Sequence, residues 1–484
     1  MKKTKIIATI SDRNCTAELI EKLMHAGMDV VRINTAHVTM ESAARIVKTV
    51  HGVNNAIPIM LDTKGPEIRV TGIDERYEDA LTFHAGDTVR VRGTQTAEPS
   101  TAEVIYLNTT SAIPSISVGD RLLISDGEIE LRVIEKNGDE LLCRFSGDAT
   151  LRPRKSVNIP GVSIALPSVT ERDRAFIEWA TENDIDFIAH SFVRSADDVK
   201  AVQDILDSRS SKIKIISKIE NQEGLDNLDD IIEASYGIMV ARGDLGVELP
   251  AEAIPTAQRR IVESCIMAKR PVIIATQMLY SMIHAPRPTR AEVSDVASAI
   301  YERVDAVMLS EETAMGDYPV ESVETMARIA GRIEEDERHF VPMTDMNMVS
   351  VAHEITAQVA RSAVRASTNL PVKYIVVDTL TGRTGRYLAA FRSRKTVVAV
   401  CYTLHAQRIL ALSYGVKPIL RDKSLDDRYH FLADAMEVID ETEQLHDDDL
   451  LVSVGGSFSP ERGASYVEIA CVGDIRERNS HANN

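Results

Sequence analysis

The 484-residue sequence predicts an α/β protein: a (β/α)8 barrel of the TIM type, a β-rich lid inserted into it, and a smaller C-terminal α/β domain. Three observations lead there. Eight short apolar, β-branched runs, at 5–10, 29–34, 56–63, 186–192, 212–220, 236–242, 271–277 and 305–311, read as strands with helical patterns between them. Most of their centres stand roughly 24 to 34 residues apart, the repeat of βα units in a parallel barrel. The third and fourth centres are instead about 130 residues apart, which leaves about 100 residues beyond an ordinary unit for an insertion. Past residue 348 strand and helix patterns alternate again, as a separate unit.

Taken in order, the segments 16–26 and 170–182 carry apolar residues at three-to-four spacing and read as helices. Thr289-Arg-Ala-Glu292 has capping-box spacing just after Pro286-Arg-Pro288, where a helix should start. The insert, 66–156, holds alternating runs such as 87–92 and 128–133, separated by the turn signals Ala85-Gly-Asp87, Val118-Gly-Asp120 and Asn137-Gly-Asp139. Such a pattern predicts a small antiparallel β-domain. It leaves and re-enters at the C-terminal end of the third strand, the active-site face of a barrel, so a lid is expected. The boundaries are then 1–65 with 157–337 for the barrel, 66–156 for the lid and 348–480 for the C-terminal domain. Within the last, a helix over 350–367 precedes strands at 373–378, 396–401, 417–420, 450–454 and 466–472, and the tail 481–484 is expected to fray.

Composition limits the function. The chain is 44% hydrophobic and 26% charged, as ordinary globular proteins are. A net charge of −18 argues against nucleic acid as the main partner, so anionic substrates would need a local basic pocket or metal ions. Five scattered cysteines without C-x-x-C spacing suit reduced thiols. The apolar run after the basic N-terminus is too short for a signal peptide, and no apolar span approaches about 20 residues. A cytoplasmic protein with no membrane partner is expected.

Barrel chemistry sits at the C-terminal ends of the strands. Here those ends supply Thr9; Arg32 and Asn34; Asp62-Thr63-Lys64-Gly65-Pro66-Glu67-Ile68-Arg69; Ser191-Phe192; Lys218-Ile-Glu220; Arg242-Gly-Asp244; Thr276-Gln277; and Ser310-Glu-Glu-Thr313. Lys218 and Glu220 share one side of their strand by the two-residue period, as do Arg32 and Asn34. A cation beside a carboxylate at the end of an apolar strand suits anion-plus-metal chemistry. Surface ion pairs would not recur at nearly every strand end.

Several strings carry a resemblance: Lys-Ile-Ile-Ser-Lys-Ile-Glu-Asn at 214–221, Ile-Met-Val-Ala-Arg-Gly-Asp-Leu-Gly-Val-Glu at 238–248, Ala-Thr-Gln-Met-Leu at 275–279, Pro-Arg-Pro-Thr-Arg-Ala-Glu at 286–292 and Asp-Thr-Lys-Gly-Pro-Glu-Ile-Arg at 62–69. Together they resemble the pyruvate kinase family, of bacterial type. The resemblance implies phosphoryl transfer from phosphoenolpyruvate to ADP in glycolysis, giving pyruvate and ATP. Glu220 and Asp244 would hold Mg²⁺ or Mn²⁺, hard oxygen ligands for a hard cation. Lys218 and Arg32 would meet the migrating phosphoryl group. Backbone N–H groups at Gly243 and Asp244 would hold the substrate carboxylate, with Thr276 contacting it and helping to deliver the proton. His37, Arg69 and Lys155 would lie near the nucleotide, and Asp126 would close over the site from the lid.

A monovalent site for K⁺ would draw on Asn34, Asp62 and Thr63, although Ala36 replaces the serine of the family pattern. Glu67 is the residue associated with potassium dependence. Ser11-Asp12, Ser156, Glu311 and Met315 are further departures. In the C-terminal domain, Thr379-Leu-Thr-Gly-Arg-Thr-Gly385 lies between a strand and a helix, its small and hydroxyl residues suited to a phosphate nest, and the resemblance implies that Thr379, Thr381, Gly382, Arg383 and Thr384 form an effector loop. The effector would be a sugar phosphate or AMP, and the resemblance implies an allosteric homotetramer. Two alternatives remain at this stage: an attenuated paralogue that senses phosphometabolites, and another barrel enzyme acting on phosphoenolpyruvate or pyruvate.

Overall fold

Eight strands, Lys5–Thr9, Val30–Asn34, Ile59–Asp62, Phe187–His190, Lys214–Ile219, Gly237–Ala241, Val272–Ala275 and Ala306–Leu309, close into a parallel barrel in which the first pairs with both the second and the eighth. The computed structural model describes residues 2–336, 342–344, 354–421, 431–441, 444–456 and 463–482. Strands of such a barrel are buried on both faces, which is why these runs are almost continuously apolar. One face, with Ile7, Met60, Phe187, Ile216, Met239 and Ile273, fills the interior. The alternate residues, among them Ile6, Val31, Leu61, Ile188 and Ile215, pack outward against the helices.

The helices begin where their capping residues stand. Thr16 accepts from Leu19 N and Thr170 from Asp173 N, opening Ala17–Ala26 and Glu171–Ala180. Thr289 and Glu292 form the expected capping box of Arg290–Tyr301. Gly27 closes the first helix at φ 115°, a conformation that costs glycine no steric clash.

Between the third and fourth barrel strands lies a six-stranded sheet, with a two-stranded ribbon pairing Leu81–Phe83 and Ala149–Leu151. The expectation of a wholly antiparallel sheet needs one correction. Thr88–Gly93 and Val104–Leu107 run parallel. Residues 94–103 carry the chain back to its starting end, whereas the tight turns elsewhere, such as that at Gly138 (φ 62°), reverse it.

After the barrel, helix Glu354–Asn369 packs on a five-stranded sheet. Strands Val416–Leu420, Val397–Cys401, Val372–Thr379 and Leu450–Gly456 are parallel neighbours in that order, and Ala464–Cys471 adds antiparallel at the edge. The start of the expected helix at 350–353 lies outside the described residues. A helix spans Val472–Ala482 and takes in residues 481 and 482 of the tail, while 483–484 lie outside the described residues. Its buried Val472 and Ile475 join the apolar cluster around Val398 and Ile439, which anchors the start of the helix. No helix among the described residues is long and apolar enough to cross a membrane.

Candidate active site

Asp62, the last residue of the third strand, is buried between two cations. Arg32 Nε donates to its Oδ2 at 2.7 Å, and Lys218 Nζ to its Oδ1 at 3.1 Å. Burial opposes ionisation of Asp62, but the Arg32 and Lys218 charges outweigh it and hold the carboxyl below its usual range. The same balance holds the Lys218 ammonium above its ordinary range: burial disfavours it, and the Asp62 and Glu220 carboxylates more than compensate. Arg32 Nη1 reaches Thr9 Oγ1 at 3.0 Å, and Thr9 in turn donates to Leu309 O. Five strands thus fix two cations at the barrel mouth.

Ser191 locks this arrangement. Its hydroxyl donates to Thr63 O at 2.6 Å and accepts from Lys218 Nζ at 2.8 Å. The next residue, Phe192, sits at φ 56°, and its N–H donates to Glu220 Oε2 at 2.6 Å. The other carboxylate oxygen, Oε1, lies 2.9 Å from Lys218 Nζ but outside hydrogen-bond geometry, buried and without a hydrogen-bond donor. Burial pushes the Glu220 and Asp244 carboxyls up, each partly offset by Lys218. A buried carboxylate oxygen with no hydrogen-bond donor, beside the half-buried Asp244 carboxylate, fits a hard divalent cation. Two protein carboxylates leave most of the coordination sphere to water or substrate.

Thr276 follows the seventh strand at φ 71°. Its hydroxyl donates to Ala275 O at 2.6 Å and accepts from Gly243 N at 2.8 Å, so these two predicted substrate residues contact each other. Arg242 buttresses the pair: Nη2 donates to Thr276 O and Nη1 meets Asp295 at 2.7 Å.

A cleft of about 740 Å³ separates the barrel mouth from the lid. Glu220 and Asp244 line its floor, and His37, Arg69, Lys155 and Asp126 line its walls. Arg69 donates to Arg154 O and pairs at 2.8 Å with Glu67, which also meets Lys64 at 3.2 Å. Ser125 and Asp126 occupy the left-handed region at φ 57° and 56°, and Ser156 Oγ donates to Asp126 Oδ1 at 3.0 Å. The serine that departs from the family pattern therefore ties down the lid carboxylate.

The predicted monovalent ligands stand at adjacent strand ends, and their oxygens already take part in hydrogen bonds. Asn34 Oδ1 accepts from Ala36 N at 3.0 Å, and Thr63 Oγ1 accepts from Ser191 N while donating to Ala189 O. The candidate effector loop lies apart, in the C-terminal unit. Thr379 ends a strand and accepts from Gly382 N at 3.0 Å; Gly382 (φ 79°) precedes helix Arg383–Ala390, which contains Thr384, and exposed Thr381 lies between.

Sequence reasoning noted Ser191 as a strand end but gave it no role, and it missed Asp173. Asp173 accepts from both Lys64 N and Gly65 N at 3.0 and 3.2 Å, where the chain leaves for the lid. Its only local sign was its place three residues after the helix cap Thr170.

Comparison with known proteins identifies the family. Residues 1–323 match the family model for the pyruvate kinase barrel domain, and residues 357–469 match that for the pyruvate kinase alpha/beta domain. A pyruvate kinase of Borreliella burgdorferi is 42% identical over 99% of both chains. One from Staphylococcus epidermidis is 38% identical over 98% of this chain and 81% of its own. The crystal structure of a Cryptosporidium parvum pyruvate kinase superposes with a TM-score of 0.89 at 33% identity, covering 97% of this chain and 96% of that one. With both family models matched in order, and a mouth where Arg32, Lys218, Glu220 and Asp244 converge under a lid, the chain belongs to the pyruvate kinase family.

Proposed function

We propose that the cleft transfers the phosphoryl group of phosphoenolpyruvate to ADP, releasing pyruvate and ATP. The observation that carries this reading is the pairing of two cations on Asp62 beside the buried Glu220, one of whose oxygens has no hydrogen-bond donor, and the half-buried Asp244. Phosphoryl transfer needs positive charge fixed where the migrating group spreads its negative charge. Lys218 and Arg32 supply it, and because Asp62 and Ser191 hold them in place, little reorganisation is required. Glu220 and Asp244 hold Mg²⁺ or Mn²⁺, which when bound neutralises the charge on phosphoryl and enolate oxygens. Thr276 and the Gly243 N–H contact the substrate carboxylate, and the Thr276 hydroxyl relays the proton that converts enolate to pyruvate. His37, Arg69 and Lys155 hold the nucleotide, and Asp126 closes with the lid.

The same reading assigns residues 1–65 with 157–337 to the catalytic barrel, 66–156 to the lid and 348–480 to a regulatory domain. Its effector loop, 379–384, takes a phosphorylated effector, a sugar phosphate or AMP, in a cytoplasmic homotetramer. Asn34, Asp62 and Thr63 form a K⁺ site whose remaining coordination comes from water, since Ala36 offers no hydroxyl. Pyruvate formation coupled to lactate dehydrogenase tests the function: wild type turns over with Mg²⁺ present, and a protein inactive with phosphoenolpyruvate and ADP would sink the reading. KCl raises the rate in that assay; equal rates with and without it would remove the K⁺ site.

A further inference from the structure

Where the lid returns to the barrel, residues 160–170 form no helix or strand, so their backbone groups need partners from elsewhere. Arg194, in the loop after the fourth barrel strand, supplies two. Its Nη1 donates to Ile164 O and its Nη2 to Leu166 O, both at 2.9 Å. Asp198 aims the guanidinium from behind, accepting from Nη2 at 3.1 Å and from Nε at 3.2 Å. That carboxylate is buried in the first turn of helix Ala196–Ser208. A planar fork held in this way fixes direction as well as charge.

The stem it grips belongs mechanically to the lid. Val162, Ile164 and Leu166 pack against the lid core around Val70, Leu107 and Leu151. The lid core therefore moves with the carbonyls that Arg194 holds. Asn158 also donates to Glu248 at 3.3 Å, and exposed Ser163 to Glu223 at 2.9 Å. Each of those is a single contact, whereas Arg194 makes two.

The other end of the clamp stands beside the chemistry. Ser191 accepts from Lys218 and Phe192 N–H donates to Glu220, so one short loop, 191–194, orients the ammonium, the carboxylate and the lid. The loop backbone has supports of its own. Arg194 N donates to Asp198 at 2.9 Å, and Arg194 O accepts from the Asn227 side chain at 2.8 Å. Changing the Arg194 side chain thus releases the stem and leaves the loop in place.

We propose that Arg194 is a positioning residue that clamps the returning lid stem to the loop orienting Lys218 and Glu220, and so sets where Arg69 and Lys155 of the lid meet the nucleotide. This role rests on phosphoryl transfer to ADP being the reaction.

Hydrogen exchange read by mass spectrometry, together with initial-rate kinetics of the full chain, tests it. In Arg194→Met, exchange across 157–166 is expected to quicken about tenfold through loss of the charge-assisted contacts, and KM for ADP to rise by a similar factor. KM for phosphoenolpyruvate should keep its wild-type value, since Arg32, Lys218, Gly243 and Thr276 belong to the barrel. Arg194→Lys keeps the charge without the fork and should follow Arg194→Met. Arg209→Met, the same change at an arginine paired with Glu178 and Glu182 on the barrel surface, should leave both readouts unchanged. Unchanged exchange in Arg194→Met overturns the clamp, as does an equal effect of Arg209→Met. So does a raised KM for ADP without faster exchange, which would make Arg194 a nucleotide contact, or an equal rise in both KM values, which would mean general damage to the mouth. Wild-type behaviour of Arg194→Lys overturns it too, because charge alone would then suffice. A wild-type chain inert toward phosphoenolpyruvate and ADP would instead defeat the reaction itself, whereas the exchange measurement needs no turnover.

Discussion

Asp62 receives a guanidinium on one oxygen and an ammonium on the other, and this decides what Lys218 can do. A buried lysine without partners would tend to lose its proton; here the carboxylates keep it charged and Ser191 keeps it aimed. Lys218→Met should therefore lower kcat by about 10³-fold or more, since one preorganised donor is worth about that much. Circular dichroism and thermal unfolding should show the fold intact; a variant retaining wild-type kcat would remove Lys218 from the chemistry. The residue types were readable from the chain, because Arg32, Lys218, Glu220 and Asp244 all fall at strand ends. Their more distant partners were not. Lys218 and Glu220 were legible as partners by spacing and do meet at 2.9 Å, but Lys218 also donates to Asp62 and Ser191, both distant in sequence.

Elements aim these side chains. The lid leaves the barrel through Gly65 at φ 73°, with its amide held by Asp173. An added Cβ would stand 2.7 Å from Phe192 Cδ2 and 2.9 Å from Ser191 Cβ. Gly65→Ala thus combines about 1–2 kcal/mol of left-handed backbone strain with a clash against the residues that position Lys218 and Glu220. A fall in kcat/KM together with a lower Tm is the expected result, and unchanged kinetics would show that the hinge tolerates the shift. At the cap of helix Arg290–Tyr301, Glu292 accepts from Thr289 N and also from Ser281 N and Oγ, pinning the preceding loop. Thr289→Ala should cost about 1 kcal/mol, measured by urea unfolding. The cap itself was legible as Thr-x-x-Glu. The second use of Glu292 was not, because Ser281 reaches it only after the loop folds back.

Across the whole molecule, the barrel and C-terminal unit are joined by buried polar contacts. Arg392 forms a two-nitrogen contact with Asp305, at 3.1 and 2.7 Å, and both side chains are under 5% exposed. Asp305 also accepts from Tyr414 N and Val272 N. Removing one partner strands a buried charge, so Arg392→Met should destabilise by about 3–5 kcal/mol, seen as a lower denaturant midpoint. At the same junction Asp186 lies 3.7 Å from Arg408. Ion pairing alone would lower its carboxyl, but burial is the larger effect and lifts it to about 7. The folded chain then holds a proton that the unfolded chain has lost, so this group's contribution to stability falls as pH rises from about 4 to about 7, and levels off above. Thermal unfolding across that range should show a shallower decline in Asp186→Asn than in wild type.

Periodicity alone determined the barrel, its eight strands and the place of the insert, because a strand buried on both faces can be built only from an apolar run of limited length. The same runs located the chemistry at their ends. Tertiary structure decided the rest: the parallel pair within the lid, the Asp173 hold on the hinge, and the Ser156 contact to Asp126. Each depends on groups brought together from far along the chain, and the spacing of residues along one strand carries no record of its neighbours across space.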